Sequence, residues 1–403
     1  MVSCVVVVTE PVEVGAIAEA IARASLAAFD LEFLTADRLV PTLCVVQVSW
    51  VSESLDAPVE AFVAAIPQVR VIDALAVDPR PIFEALAAHP NTIVHAGRQD
   101  LGIVARLGIA MPKVLDTQVM AAFAGIGDQV GLGALTEELL GITLAKEQQW
   151  TDWAKRPLSD AQLAYAIADV QHLPAIYAKL VARLGERLTW AKAESAVIAG
   201  DALAAARLAP EDAWRSLGGL RGLDPKALAV VRDLAAWRFR LANELDKPLG
   251  WILPEKLIID FARHRTDDPD KVRSWKGLPR PARQRVDEIV DIIAAATPAE
   301  ASPFMSRGMS ARAQRWAEML VAIVQITSEE SGVTSRLLAT RSDAEELARI
   351  VDEQGIEAAR VLPAFATWRN ELIGKRWEAW LGGSLGLAGD PASSSGLQLV
   401  TCD

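Results

Sequence analysis

Two carboxylates, Asp30 and Glu32, sit inside the apolar stretch 29-FDLEF-33. In an extended chain residues i and i+2 share a side, so these acids project together while Phe29, Leu31 and Phe33 face the other way. Like charges side by side repel, and a divalent cation between them relieves the repulsion, because hard carboxylate oxygens are the ligands Mg²⁺ and Mn²⁺ prefer. A strand with one solvated face is the simpler explanation of an isolated Asp-x-Glu, so the pair alone decides nothing. Two further acids matter. Asp100, in 93-IVHAGRQDLGIV-104, opens a helical pattern that follows a strand pattern, where a surface acid or helix cap is the ordinary explanation. In 162-QLAYAIADVQHLPAIY-177, Tyr165 and Asp169 are four apart and share one helix face. The chain has only two tyrosines, Tyr165 and Tyr177, and chance poorly explains one of them falling a turn before a candidate acid.

The elements that must position these residues are legible as alternating patterns over residues 1 to about 185. VSCVVVV, LAAFDLEF, LCVVQVSW and TIVHAG read as strands, rich in Val, Ile and Phe and bounded by polar or Pro/Gly residues. Between them VEVGAIAEAIARAS, DPRPIFEALAAH and RQDLGIVARLG carry the three-to-four-residue apolar spacing of helices. The combination predicts an α/β domain with a mixed central sheet. From about residue 190 the strand signals fade, and Ala/Leu/Arg/Glu-rich segments punctuated by Gly219, Pro248 and Pro254 predict an all-α second half. ATPAEASP, at 296–303, reads as a linker, and the Gly/Ser-rich end from 383 to 403 as a flexible tail.

Composition narrows the class. At 403 residues the chain has room for two to four domains. Apolar residues make up 51%, yet no uncharged run approaches the ~20 residues a membrane span needs, so a soluble protein is expected. The valine-rich start lacks a basic flank and a cleavage site and reads as an edge strand. Cys4, Cys44 and Cys402 are too scattered for a disulfide framework or zinc cluster, which fits a reducing cytoplasm. A net charge of −11 argues against a protein that simply coats nucleic acid; a phosphate ligand needs a local basic path or bound cations. The string 382-GGSLG-386 lies in the Gly-rich tail, not on a strand-to-helix elbow, and reads as accidental. His95 reads as a core or surface histidine, and Gly127, Gly131 and Gly133 form no phosphate loop.

Taken together, Asp30-x-Glu32, Asp100 within HAGRQDL and Tyr165-x-x-x-Asp169 resemble the motifs of the DEDD superfamily of 3′→5′ exonucleases, in its tyrosine subclass, and within that the bacterial ribonuclease D family. The histidine subclass would carry His one position earlier, where this chain has Ala164. The stretches 41-PTLCVVQ-47, 115-LDTQVMAA-122, 135-LTEELLGITLAKEQQ-149 and 152-DWAKRPLS-159 are similar to that family as well. The helical half resembles the helicase-and-ribonuclease-D C-terminal (HRDC) module in 236-AWRFRLANELDKPLGWILPEKLIIDFA-262, and 312–380 looks like a more divergent second copy. The resemblance implies a ribonuclease-H-like exonuclease domain at 1–190, an HRDC domain at 208–296, a second HRDC-like domain at 303–382, and the tail.

It also implies a mechanism in which two divalent ions, Mg²⁺ or Mn²⁺, clamp the scissile phosphate. Asp30, Glu32 and Asp169 would ligate the ion on the nucleophile side, Asp30 would bridge to the second, and Asp100 would support that one. Tyr165 would orient the attacking water, since a phenol with pKa near 10 is a poor general base at neutral pH. Arg98, Lys146, Lys155 and Arg156 are candidate phosphate contacts, each with a solvated surface charge as the alternative. The stretch LTADRLV after Glu32 departs from the arginine- and tyrosine-bearing pattern usual there, which leaves substrate preference open. Most tryptophans of the helical half read as core, although some could stack on unpaired bases. The expected activity is removal of single nucleotides from the 3′ ends of structured RNAs, tRNA precursors foremost, with no organic cofactor. A DNA exonuclease with the same core and a non-catalytic RNA-binding scaffold are the alternatives.

Overall fold

A computed structural model describes residues 7–35, 37–144, 151–220, 222–298 and 309–402. The chain forms two compact units: Met1–Glu32, Cys44–Leu203 and Met309–Asp403 make the first, Phe33–Leu43 and Ala204–Gly308 the second.

Among the described residues, the main sheet of the first unit has six strands: β1 (Val7–Val8), β2 (Leu26–Leu34), β3 (Thr42–Val51), β4 (Gln68–Asp73), β5 (Thr92–Val94) and β6 (Leu115–Asp116). Their order across the sheet is β1-β4-β3-β2-β5-β6. β3 and β4 are antiparallel, with Val46 opposite Ile72, whereas β1–β4, β2–β5 and β5–β6 are parallel, so the sheet is mixed as expected. The valine run is an edge strand, and β2, with the first two acids, is central.

The helices that connect and cover the strands are α1 (Pro11–Arg23), α2 (Val59–Ala64), α3 (Arg80–Ala88), α4 (Arg98–Arg106), α5 (Thr117–Phe123), α6 (Leu132–Leu140), α7 (Asp160–Gln171), α8 (Leu173–Leu184) and α9 (Leu188–Ala206). The apolar side of β2 is anchored by Phe29, fully buried and edge-on to Phe83 of α3 at 6.3 Å. Burying two aromatic rings there fixes which face of β2 is left for Asp30 and Glu32.

In the second unit α10 (Pro225–Leu245) is the central helix, with α11 (Leu249–Ile252), α12 (Glu255–His264), α13 (Pro269–Arg273), α14 (Arg280–Arg283) and α15 (Val286–Ala295) after it. Asp224 caps α10 by accepting from the amides of Lys226 and Ala227, each at 3.0 Å, and Pro225 supplies a pre-set first turn. Pro248 and Pro254 stand at the N-caps of α11 and α12, which is why the pattern breaks there. Val230, Leu234, Ile258, Phe261 and Ile289 close its core. The divergent stretch after Glu32 belongs to this unit: Leu39 packs on its core, and Asp246 accepts from Arg38 Nε at 2.6 Å and from the Leu39 amide at 3.1 Å.

Among the described residues, 309–402 do not build a core of their own. Their helices include α16 (Ala311–Ser331), α17 (Ser335–Leu338) and α18 (Arg341–Gln354), and their apolar residues join the core of the first unit. Trp368 is 4.8 Å from Phe123 of α5, edge-on, and stacks on Trp190 of α9 at 5.9 Å. Beside it Arg369 pairs with Glu194 of α9 at 2.8 Å. The apolar stripes of these helices thus cover the core of the first unit instead of closing one among themselves. The end of the chain, expected to be flexible, is an antiparallel hairpin of β7 (Leu385–Gly389) and β8 (Leu397–Thr401) with Leu387 opposite Leu399. Both leucines pack against the core, so the alternation of apolar residues prevails over the Gly/Ser-rich composition. No helix among the described residues is long and apolar enough to cross a membrane.

Candidate active site

β2 delivers Asp30 and Glu32 on one side, and α7 brings Tyr165 and Asp169 to meet them. α7 starts at a capping box, in which the Ser159 hydroxyl accepts from the Gln162 amide and the Gln162 side chain accepts from the Ser159 amide. Its far end is tied to the sheet where buried Ser49 of β3 donates to the Val170 carbonyl at 2.8 Å. Ala166 and Val170 bury one face of the helix, leaving Tyr165 and Asp169 on the adjacent one. The result is a triad: Asp30, Glu32 and Asp169 each present a carboxylate oxygen, all within 4.8 Å of one another.

Three acids that close, mostly removed from water, resist ionising. Burial pushes the Asp30 carboxyl up to about 7. Burial, and then the charges of Asp30, Asp169 and Asp100, push Glu32 up to about 9. Burial and Asp30 push Asp169 up to about 8. Among the described residues no basic side chain pairs with these acids. Unneutralised, converging oxygen ligands suit a hard divalent cation, which would hold them ionised at neutral pH. Tyr165 moves up as well, through burial and the charges of Asp169, Glu32 and Asp30, so its hydroxyl stays protonated.

Asp100 is buried, 7% exposed, in the first turn of α4, outside the triad. Burial and the charge of Asp30 hold its carboxyl well above the ordinary range. It is not a cap, because the N-cap of α4 is Gly97. A β-carbon on Gly97 would lie 2.6 Å from Val94 Cγ2, so glycine is what lets the helix start directly beside β5. That turn is held by a residue the sequence reading missed. Asp116, at the end of β6, accepts from the amides of Ala96, Gly97 and Gln118, at 2.9, 2.9 and 2.8 Å. Asp116→Ala would orphan buried amides and is expected to destabilise the fold by about 3 kcal/mol in urea titrations. The same loss would loosen Asp100.

Asp30, Tyr165 and Asp169 open into a cleft of 440 Å³ that His95, Gln118, Gly131 and Gly133 also line. The Nδ1 of His95 lies 2.9 Å from the Thr117 hydroxyl, and burial depresses its pKa, against opposing pulls from Asp116 and the Val130 backbone. Gly131 caps α6 without a side-chain bond, so this helix start, passed over in the sequence, borders the cleft with backbone amides. The four basic candidates part ways. Arg156 is a correction: its guanidinium grips Asp73 at 2.5 and 2.6 Å and donates to the Cys44, Trp153 and Lys155 carbonyls, leaving no free fork for phosphate. Arg98 and Lys155 are exposed, and Lys146 lies outside the described residues.

Comparison with known proteins agrees with this geometry. The profile described as 3′-5′ exonuclease matches residues 5–185, and the HRDC domain profile matches residues 227–293. Ribonuclease D of Nitrobacter hamburgensis is 31% identical over 94% of this chain and 96% of its own. Ribonuclease D of Acidiphilium cryptum is 33% identical over 93% of this chain and 92% of its own. The crystal structure of Escherichia coli RNase D, an exoribonuclease involved in structured RNA processing, aligns with a TM-score of 0.78 at 25% identity, covering 94% of this chain and 99% of that one.

Proposed function

Because the chain belongs to the ribonuclease D family and is therefore a 3′→5′ exoribonuclease, we propose that it trims the 3′ ends of structured RNAs, tRNA precursors among them, in the cytoplasm, releasing nucleoside 5′-monophosphates with two divalent cations. The observation that carries the metal reading is the convergence of Asp30, Glu32 and Asp169, with Asp30 and Asp169 lining one cleft beside Tyr165. When bound, the two ions, Mg²⁺ or Mn²⁺, supply positive charge to the scissile phosphate and acidify the attacking water. Asp30, Glu32 and Asp169 would hold the ion on the side of that water, and Asp30 and Asp100 would serve the second. Carried on a central strand and a capped helix, these carboxylates are set before substrate arrives. Tyr165, protonated at neutral pH, orients the water by donating and accepting hydrogen bonds and takes no proton from it. Arg98 and Lys155 are the exposed charges left to meet phosphate.

Tyr165→Phe is expected to lower kcat about 10²-fold, with Mn²⁺ affinity in a calorimetric titration unchanged. An equal loss of Mn²⁺ affinity would make Tyr165 part of the metal site instead. The activity itself is tested with a 3′-labelled tRNA precursor. Labelled mononucleotide should appear with Mg²⁺ or Mn²⁺ and stop with EDTA. Matched RNA and DNA oligonucleotides decide the sugar preference. Release that continues in EDTA would remove the metal from the mechanism, and binding without release would favour a scaffold.

A further inference from the structure

The first unit has a second cleft, of 340 Å³, lined in part by Arg98, Gln118, Asp128, Glu194 and Arg336. Ala96 and Gln118 line both this cleft and the one that holds Asp30, Tyr165 and Asp169, so the two adjoin along a shared wall. Its acids are largely spoken for. Asp116, also in the lining, accepts from three backbone amides, and Glu194 pairs with Arg369 at 2.8 Å. Asp128 faces Arg336 at 3.9 Å, too far for a charge-assisted hydrogen bond. Arg98 is exposed, with no ion pair among the described residues. The cleft therefore has two guanidinium groups available for an anion.

Arg336 comes from α17, in the C-terminal segment that shares the core of this unit. Leu338 on that helix is fully buried, and Arg369 Nε donates to the Leu337 carbonyl at 2.8 Å, so the backbone is fixed while the Arg336 side chain stays 59% exposed. A rigidly mounted, solvent-facing arginine beside a catalytic cleft suits a phosphodiester, which a planar guanidinium can grip with two hydrogen bonds.

We propose that the second cleft takes the phosphodiester backbone just upstream of the 3′-terminal nucleotide, with Arg98 and Arg336 contacting phosphates. The inference rests on the exoribonuclease reading and adds a role for the C-terminal segment as a gauge of substrate length. A dinucleotide has a single phosphodiester, the one being cut at the acids, so nothing is left for Arg336 to hold. An octanucleotide fills both clefts.

The test compares kcat and KM of the full chain on an RNA dinucleotide and on an unstructured RNA octanucleotide at saturating Mg²⁺. Arg336→Ala should raise KM for the octanucleotide roughly fivefold and flatten the slope of log KM against log salt by about 0.7, the share of one phosphate contact on a single strand. Its kcat, and both constants for the dinucleotide, should match wild type. Asp128→Asn, which frees Arg336 from its acidic neighbour, should lower the octanucleotide KM. An Arg336→Ala effect that is equal on both substrates, or absent on both, would overturn the proposal while leaving the exoribonuclease reading intact. Wild type that releases nucleotide from neither substrate would take both down.

Discussion

Asp169→Asn is expected to lower the rate of 3′-nucleotide release at least about 10³-fold, since losing several kcal/mol of charge stabilisation at about 1.4 kcal/mol per tenfold has that effect. Asparagine keeps the shape of the side chain, so the packing of Ala166 and Val170 behind it is undisturbed. What goes is one of the three negative oxygens that meet within 4.8 Å. The remaining pair, Asp30 and Glu32, can still attract a cation but cannot enclose it from the α7 side. Single-turnover release of a 3′ label, with circular dichroism to verify the fold, checks this. A loss under tenfold would mean that Asp169 lies beside the reacting atoms without serving them.

The second large effect concerns stability, and its sign runs opposite to that of an ordinary salt-bridged acid. In the folded protein Asp30, Glu32 and Asp169 stand at about 7, 9 and 8, against 3.8, 4.5 and 3.8 for the free groups. Between roughly pH 4 and pH 9 the native state thus binds more protons at these sites than the unfolded chain. Their contribution is most favourable below the unfolded values and is lost as pH rises through the folded ones. Metal-free protein should therefore lose thermal stability from pH 6 to pH 9. A divalent cation reverses the trend, because it binds the ionised form in the folded state. A hundredfold excess over Kd adds about 2.7 kcal/mol, or roughly 3 °C in Tm for a chain of this length. Asp169→Asn should raise the Tm of metal-free protein at pH 8 and remove most of the gain from Mg²⁺. Scanning fluorimetry with EDTA and with Mg²⁺ across this range provides the check. A metal-free Tm that rises from pH 6 to pH 9 would contradict the electrostatic picture.

The parts of the site that were legible in sequence are those whose geometry is set within a few residues. The period of two along β2 puts Asp30 beside Glu32 opposite buried Phe29, and the helical turn from Tyr165 to Asp169 shares a face within α7. What local pattern cannot carry is pairing at a distance. Arg156 looked like a phosphate contact because its partner Asp73 is 83 residues away in sequence and only the sheet brings them together. Asp116 passed as part of a similar stretch, although it holds the turn that starts α4, some 20 residues earlier. β6 is two residues long, too short for any period to register, and Gly131 borders the cleft only because α6 folds back onto it. The C-terminal helices read as a separate module for the same reason: their stripes are periodic, but that Trp368 seats on Phe123 and Trp190 is a tertiary fact. In the divergent stretch after Glu32, nothing local announced that Leu39 and Arg38 turn to the second unit.

A crystal soaked in Mn²⁺ and measured at the manganese absorption edge would decide whether the acids of β2 and α7 are a metal site at all. An anomalous peak should stand about 2.1 Å from oxygens of Asp30, Glu32 and Asp169 together, and vanish in crystals of Asp30→Asn. Manganese bound elsewhere on the chain while those three carboxylates stay bare, at a concentration that supports nucleotide release, would contradict the metal-dependent reading.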